Sequence, residues 1–165
     1  MDEKQKLALS EEDFYGDHET KEEGVLLVVF RISNEWYAVD IASVREVVNF
    51  EKISFLPSCP EHIAGIFNLR GNIISVTDLK RIFNLSYEDI TDKSMLVVIK
   101  SGIFETGLLV DEVAEPQEIP FSQINPTLAT IAEDRASYLS GVCHIGKKLV
   151  GILKSEQILK VLERN

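Results

Sequence analysis

Metal binding and nucleophilic catalysis are the two kinds of chemistry that the cysteine and histidine side chains of this sequence would support. Cys59 and His62 form a Cys-x-x-His spacing, and Cys143 and His144 are adjacent. Structural zinc needs ligand pairs spaced to close a tetrahedron, and adjacent Cys and His residues rarely chelate one ion. Two distant cysteines are typical of free thiols in a reducing cytoplasm. We therefore predict buried or partly buried thiols and no metal site.

Catalysis by a nucleophile also needs a base and an orienting group. The sequence has three histidines, and it contains neither a Gly-x-Ser-x-Gly elbow nor a Gly-Lys-Ser/Thr phosphate loop. Asp111, Glu112 and Glu115 form a small acidic cluster, but at a strand end such a cluster is typical of a solvated edge. The residues thus predict a protein that is not an enzyme and has no cofactor.

One cation has a position that favours recognition. Two apolar runs, residues 66–69 and 73–76, flank Arg70 and Gly71, and Gly71 can take positive φ at little cost. This pattern predicts a hairpin that carries Arg70 at or beside its turn. Arginine is enriched at binding hot spots because its flat guanidinium makes several directed bonds. We expect Arg70 to contact a partner, and an ion pair with Glu46 is a compatible structural role.

Composition and charge limit the classes of partner. The chain has 165 residues, 45% of them apolar, and a net charge of −10. Binding to nucleic acid or to an anionic membrane surface needs a basic face, which this balance disfavours. No segment is apolar over the length needed to span a bilayer, and the N-terminus lacks the pattern of a signal peptide. We therefore expect a cytoplasmic protein without direct membrane insertion.

Much of the negative charge lies at the N-terminus. Residues 1–24 carry nine Asp or Glu and three Lys, so we predict a flexible acidic tail there and one folded domain over residues 25–165. A solubilising role is the simplest interpretation of the tail. The alternative is a short partner-binding motif around Phe14 and Tyr15.

The elements that position Arg70 belong to an internal repeat. A shift of 69 residues aligns Leu-Val-Val-Phe at residues 27–30 with Leu-Val-Val-Ile at 96–99, and Val44 and Glu46 with Val113 and Glu115. At a slightly longer offset, residues 65–74 align with residues 141–150. The turn equivalent to Arg70-Gly71 is then Gly146-Lys147, without the same sequence around it. Two similar halves are therefore predicted, although chance similarity of β-rich segments is the alternative.

Most of the predicted elements are strands, because the apolar runs are short, evenly spaced and rich in β-branched residues. The predicted strands outside the hairpin are Val25–Ile32, Trp36–Asp40, Leu96–Lys100, Gly107–Val113, Tyr138–Ile145 and Leu149–Leu153. Such spacing is typical of barrels or sandwiches.

Few segments have a helical period. Ser155–Arg164 is the clearest predicted helix, with Ser155 as its N-cap. Ile41–Val47 and Leu79–Phe83 could each hold a turn or two. Gln117–Glu133 has few strand signals and is interpreted as a link.

Residues 62–79, which include Asn68-Leu69-Arg70-Gly71, resemble the signature of the CheW family of bacterial chemotaxis coupling proteins. The first predicted hairpin and residues 108–113 are also similar to that family, so the resemblance covers about residues 25–162. Asn-Leu-Arg-Gly within this frame is fairly specific. Ser75 is a departure, because the family usually has proline there, and its loss loosens that strand without changing the fold.

The resemblance implies a mainly β fold of two intertwined, SH3-like five-stranded β-barrel subdomains with a short C-terminal helix. It also implies a non-enzymatic adaptor that couples the cytoplasmic tips of chemoreceptors to the regulatory domain of a CheA-type histidine kinase, recruited to membrane-associated receptor arrays. Carried over by position, the receptor-binding residues are Val44, Glu46, Asn68 and Arg70. Gly65 and Gly71 shape the hairpin.

Other functions remain open at this point. The same adaptor could act in another chemosensory pathway, such as control of pili, gliding or a second messenger. A relative of CheV would carry an additional receiver domain, for which the 165 residues leave no room. An enzyme or a small-molecule-binding barrel would predict a deep polar pocket containing His62 or His144, and an SH3-like nucleic-acid binder would predict a basic face.

Overall fold

The computed structural model describes residues 22–126 and 133–163. The predicted tail therefore lies outside the described residues up to residue 21, as does the motif at Phe14 and Tyr15. Residue 24, its last position, opens the first strand. None of the helices in the described ranges is long and apolar enough to cross a membrane.

The described residues form eleven strands, three short α-helices and two 3-10 turns. The strands are β1 (Gly24–Ile32), β2 (Glu35–Asp40), β3 (Val44–Val48), β4 (Ile63–Leu69), β5 (Asn72–Thr77), β6 (Met95–Ser101), β7 (Phe104–Val110), β8 (Glu112–Val113), β9 (Gln117–Pro120), β10 (Leu139–Ile145) and β11 (Lys148–Leu153). The helices are α1 (Leu79–Ile82), α2 (Glu133–Ala136) and α3 (Ser155–Glu163), and the 3-10 turns are Ile41–Ser43 and Phe121–Gln123. The predicted strands are confirmed, with ends that differ by a few residues, except Gly107–Val113. That segment is divided at Asp111 between β7 and β8, which lie in different sheets.

The strands build two sheets, and each sheet takes strands from both halves of the chain. Sheet A has the order β10-β11-β2-β1-β8, with β9 also paired to β1, and sheet B has the order β3-β6-β7-β5-β4. The first two strands of each half therefore lie in one sheet and its later strands in the other. The chain passes from one sheet to the other after β2 and again after β7.

The pairing register confirms the repeat. Val44 pairs with Ile99 in sheet B, and Val113 pairs with Phe30 in sheet A, so both partners are displaced by 69 residues. The pairs β2–β11 and β5–β7 are both parallel. The two sheets are thus equivalent structures, each completed by strands of the other half.

Strands β1 and β6 are buried on both faces, which explains their continuous apolar sequences. Val28 and Phe30 face a core shared by the two sheets, to which α1 and α3 contribute Leu79 and Ile158. Residues 27 and 29 face a separate core inside sheet A. In β6, residues 97 and 99 are equivalent to residues 28 and 30 and belong to the shared core. Residues 96 and 98 belong to the clusters inside sheet B. The shared core fixes one sheet against the other.

Neither sheet closes into a barrel through continuous pairing, and sheet A has six strands where five were predicted. In each sheet, an isolated bridge nevertheless links the segment that follows one edge strand to the strand at the opposite edge. Ser54 pairs with Ile66 in sheet B, and Asn125 pairs with Val142 in sheet A. Each sheet is therefore strongly curled, with its two edges brought close together.

Two local predictions were wrong, and a third was confirmed only at its start. The turn or two predicted within Ile41–Val47 is a single 3-10 turn at residues 41–43, because the following β-branched residues pair with β6. The predicted link Gln117–Glu133 contains β9, which pairs with the start of β1. Ser155 lies inside α3 instead of capping it, and its hydroxyl is 2.8 Å from the Ser43 hydroxyl.

The predicted solvated acidic edge was also wrong for one of its three members. Asp111 is 5% exposed and accepts from Lys80 Nζ at 2.6 Å, and Lys80 is itself 5% exposed. The other Asp111 oxygen accepts the backbone N–H of Ser33 at 2.7 Å. This buried ion pair joins α1, the link between β7 and β8, and the β1–β2 turn. Glu112 is half-buried and Glu115 is exposed.

Gly65 permits the close approach of the segment after β3 to β4. A Cβ on this residue would overlap the Ser54 carbonyl oxygen and lie 2.8 Å from Ile53 Cγ2, at a φ of +155°. Its equivalent, Gly141, has the same relation to Asn125 O. Both positions interrupt the regular register of their strand pair.

We expect Gly65→Ala to lower the free energy of unfolding by about 2–3 kcal/mol, because the backbone of residues 53–54 has to move away. The measurement is chemical denaturation followed by circular dichroism. Gly102→Ala is the control, because Gly102 has a φ of +61° but open space around its Cβ position, and it should cost only about 1–2 kcal/mol for the left-handed conformation itself. Equal losses for both variants would contradict the steric explanation.

Candidate functional site

The hairpin of β4 and β5 displays Arg70 on a two-residue turn. Leu69 pairs with Asn72, so Arg70 and Gly71 form the whole loop. Their φ angles are +50° and +91°, and positive φ at both loop residues is the pattern of a type I′ turn. This turn matches the twist of its strands, and it holds Arg70 in a backbone conformation that few non-glycine residues adopt.

Asn68 stabilises the turn from within the hairpin. The backbone N–H of Gly71 donates to Asn68 Oδ1 at 2.8 Å. The side chain therefore acts on the loop next to it, and its oxygen is already engaged. Asn68 therefore helps to position Arg70, and its direct contact with a partner stays a prediction.

Asn68→Ala is expected to destabilise the protein by about 1 kcal/mol, since the turn loses one hydrogen bond. Asn68→Asp keeps an acceptor oxygen in the same place and should retain most of that stability. Thermal unfolding monitored by circular dichroism distinguishes the two variants. If Asn68→Asp is as unstable as Asn68→Ala, the oxygen of Asn68 does not hold the turn.

The base of the hairpin is anchored in the core of sheet B. Leu69 and Ile74 are each 5% exposed and pack together with Val98. The next residue outwards, Ile73, is 62% exposed and pairs with Asn68. The turn thus presents an apolar side chain next to a cation. The sequence did not single out Ile73, because the adjacent isoleucines do not show which of them faces the core.

Glu46 forms an ion pair with Arg70, as predicted. Glu46 Oε2 accepts from Arg70 Nη2, although β3 and β4 are the two edge strands of sheet B. The curl of the sheet brings these edges together. The Glu46 side chain is 21% exposed and that of Arg70 is 73% exposed. The carboxylate is thus held at the sheet edge, and it orients a guanidinium that remains largely accessible.

Val44 does not join this group. A register shift in the β3–β6 pair separates Val44 from Glu46. Val44 and Val47 pack against the shared core, whereas Val48 packs inside sheet B. The register shift inserts one extra residue into β3, so the side chains before and after it occupy different faces of the sheet. Val44 therefore lies at the junction of the two sheets. The structure brings together Glu46, Asn68, Arg70 and Gly71, and places Val44 and Gly65 apart from them.

A family model described as the CheW-like domain matches residues 26–163, which includes both sheets and α3. The chain belongs to the CheW family. The Asn-Leu-Arg-Gly turn that carried the resemblance is thus part of a match over nearly all of the described residues.

Individual CheW proteins are similar over most of their length. The chain is 30% identical over 142 residues to the chemotaxis protein CheW of Helicobacter pylori, covering 86% of each protein. It is 26% identical over 136 residues to the chemotaxis protein CheW of Klebsiella aerogenes, covering 82% of each. The crystal structure of the scaffolding protein TtCheW from Thermoanaerobacter tengcongensis has a TM-score of 0.73 and 32% identity, covering 80% of this chain and 90% of that one.

CheW family proteins are non-enzymatic scaffold adaptors, so this chain is a scaffold and not an enzyme. The homologues support an adaptor role in chemotaxis. The geometry of the site agrees, because an oriented cation beside an apolar side chain on a rigid turn is suited to binding a surface.

The cysteines and histidines lie elsewhere in this CheW fold. Cys143 is fully buried in the core of sheet A, where burial raises the pKa of its thiol, and Cys59 is half-buried. Burial lowers the pKa of His62, whereas His144 is exposed. In the described ranges no three His, Cys, Asp or Glu side chains are grouped so that they could hold a metal ion.

Proposed function

We propose that this protein couples the cytoplasmic tip of a chemoreceptor to the regulatory domain of a CheA-type histidine kinase in bacterial chemotaxis. The observation that carries the proposal is the Glu46–Arg70 pair on the β4–β5 turn. Within the CheW family assignment, a displayed and oriented arginine provides a specific contact for a receptor. The protein would act in the cytoplasm, at membrane-associated receptor arrays.

A receptor tip of this family is expected to be a helical hairpin, which an adaptor binds through apolar contacts and a few directed polar bonds. Arg70 supplies the directed bonds, because Glu46 leaves most of its guanidinium accessible. The neighbouring Ile73 supplies apolar surface. Val44 would contribute from the junction of the two sheets, as a separate contact.

Rigidity is the second property that the function needs, since an adaptor has to hold two partners in a defined relative orientation. Residues 25–165 would form one CheW-like domain whose two sheets act as intertwined, barrel-like subdomains. The bridges Ser54–Ile66 and Asn125–Val142, which bring the edges of each sheet together, support this description. The shared core between the sheets makes independent movement of the two parts costly.

Reconstitution from purified components tests the proposal. The full chain is mixed with a soluble receptor cytoplasmic fragment and with the kinase, separately and together, and the complexes are resolved by size-exclusion chromatography with light scattering. We expect binary complexes at micromolar concentrations and a ternary complex when all three are present. Failure to bind either partner at these concentrations would overturn the adaptor function.

A further inference from the structure

Sheet A carries a groove that the proposed receptor site does not use. It has a volume of about 600 Å³ and lies where the start of β2 meets β10 and β11. Its apolar lining includes Trp36, Leu139, Val142 and Leu149. Gly151 also lines it, and a Cβ there would lie 3.1 Å from Leu139 Cδ2. We call this feature the Trp36 groove.

The charges around the Trp36 groove leave one cation without a counterion. Glu35 is engaged twice, because it accepts from Arg135 Nη1 at 2.6 Å and from the Tyr37 hydroxyl. Lys148 Nζ lies 3.7 Å from the centroid of the Trp36 ring, and it has no ion-pair partner among the residues that the structure describes. An apolar groove with an accessible ammonium at its rim is complementary to aromatic side chains flanked by carboxylates.

The chain itself contains a segment with that chemistry. Residues 11–17 are Glu-Glu-Asp-Phe-Tyr-Gly-Asp, which places Phe14 and Tyr15 among four carboxylates. We propose that residues 11–17 bind in the Trp36 groove of the same molecule, with the aromatic pair against its apolar lining and an acidic neighbour paired with Lys148. This inference is independent of the proposed receptor site.

The length of chain before the first described residue permits this contact. Ser122 Oγ donates to Glu22 Oε2 at 2.6 Å, and Asn125, three residues further on, pairs with Val142 in the lining of the groove. Val142 therefore lies within about 20 Å of Glu22. The seven Cα–Cα steps from Tyr15 to Glu22 can extend over about 23 Å. The aromatic pair can reach the near end of the groove.

Intramolecular binding of this kind has a functional consequence. A tethered segment has an effective concentration in the millimolar range, so it occupies its site even when its intrinsic affinity is modest. A partner with the same acidic and aromatic chemistry would have to displace it. The N-terminal segment would then compete with such a partner for this end of sheet A, whereas the β4–β5 turn belongs to sheet B.

Trp36 is the only tryptophan of the chain, so its fluorescence reports on the groove directly. We expect the full-length double variant Phe14→Ala/Tyr15→Ala to show an emission maximum shifted to the red by several nanometres relative to wild type. The matched control is Leu7→Ala/Leu9→Ala, which removes two apolar side chains from the same terminal region and should leave the emission unchanged. Identical spectra for all three proteins would overturn the proposal.

A second measurement tests the charge contact. A synthetic peptide of residues 9–20 is titrated into the full-length Phe14→Ala/Tyr15→Ala protein, and we expect saturable binding that Lys148→Glu weakens about tenfold or more. Lys160→Glu, an exposed lysine on α3, is the control and should have no effect. Absence of peptide binding up to millimolar concentration would contradict the proposal. A wild-type spectrum that changes with protein concentration would also contradict it, because the segment would then bind a second copy.

Discussion

Asp111→Ala is expected to lower the free energy of unfolding by about 3–5 kcal/mol, which is one of the two largest effects that the structure predicts. The substitution leaves the Lys80 ammonium buried at 5% exposure with no carboxylate at 2.6 Å. Removing one partner of a buried ion pair is costly because the remaining charge has lost both water and its counterion. The Ser33 N–H would lose its acceptor as well. Urea denaturation at neutral pH measures the loss.

Two further variants separate charge from packing at this position. Lys80→Met combined with Asp111→Asn removes both charges and keeps an acceptor for Ser33, so the double variant should be more stable than Asp111→Ala alone. Glu105→Ala breaks the more exposed pair between Arg45 and Glu105, whose side chains are 39% and 16% exposed, and should cost about 1 kcal/mol or less. A loss for Asp111→Ala as small as that for Glu105→Ala would show that the buried pair is not important for stability.

Arg70→Glu is expected to weaken binding of the receptor fragment about 30-fold or more, since loss of a hot-spot residue costs about 2 kcal/mol or more. The fold should remain intact, because the Arg70 side chain is 73% exposed and exposed ion pairs contribute little to stability. Isothermal titration calorimetry with the receptor fragment gives the affinity, and circular dichroism confirms the fold. Arg45→Glu is the matched control, since Arg45 also forms an ion pair on sheet B.

A charge exchange then distinguishes the two roles of Arg70. Glu46→Arg combined with Arg70→Glu keeps an ion pair but presents a carboxylate at the turn. If Arg70 contacts the receptor, this double variant binds as weakly as Arg70→Glu alone. Recovery of wild-type affinity would instead mean that Arg70 acts only through its ion pair with Glu46.

The sequence predicted the elements of the hairpin because its signals are local. Glycine at residue 71 and the apolar runs on both sides indicate a turn without any knowledge of the rest of the chain. The ion pair of Arg70 and Glu46 was anticipated from charge alone. The positive φ of Arg70 could not be anticipated, since arginine rarely adopts it and the loop length becomes visible only in the register of Leu69 with Asn72.

Other features depend on contacts between distant segments. Val44 and Glu46 were carried over together from the family resemblance, but the register shift between them places Val44 at the junction of the sheets. Asp111 was interpreted as solvated, because neither the burial of Lys80 nor its proximity can be seen in the sequence. The repeat predicted two similar halves. It did not show that each sheet draws strands from both halves.

The exchange of strands between the halves constrains the order in which the protein can be made. Strand β2 has β11 as a parallel neighbour in sheet A, and β11 is the last strand of the described residues. During synthesis, the apolar strands β1 and β2 emerge from the ribosome long before Lys148–Leu153 is available to pair with them. Unpaired apolar strands promote aggregation. Sheet A can therefore be completed only after residue 153 has emerged from the ribosome, and the nascent chain has to be protected until then.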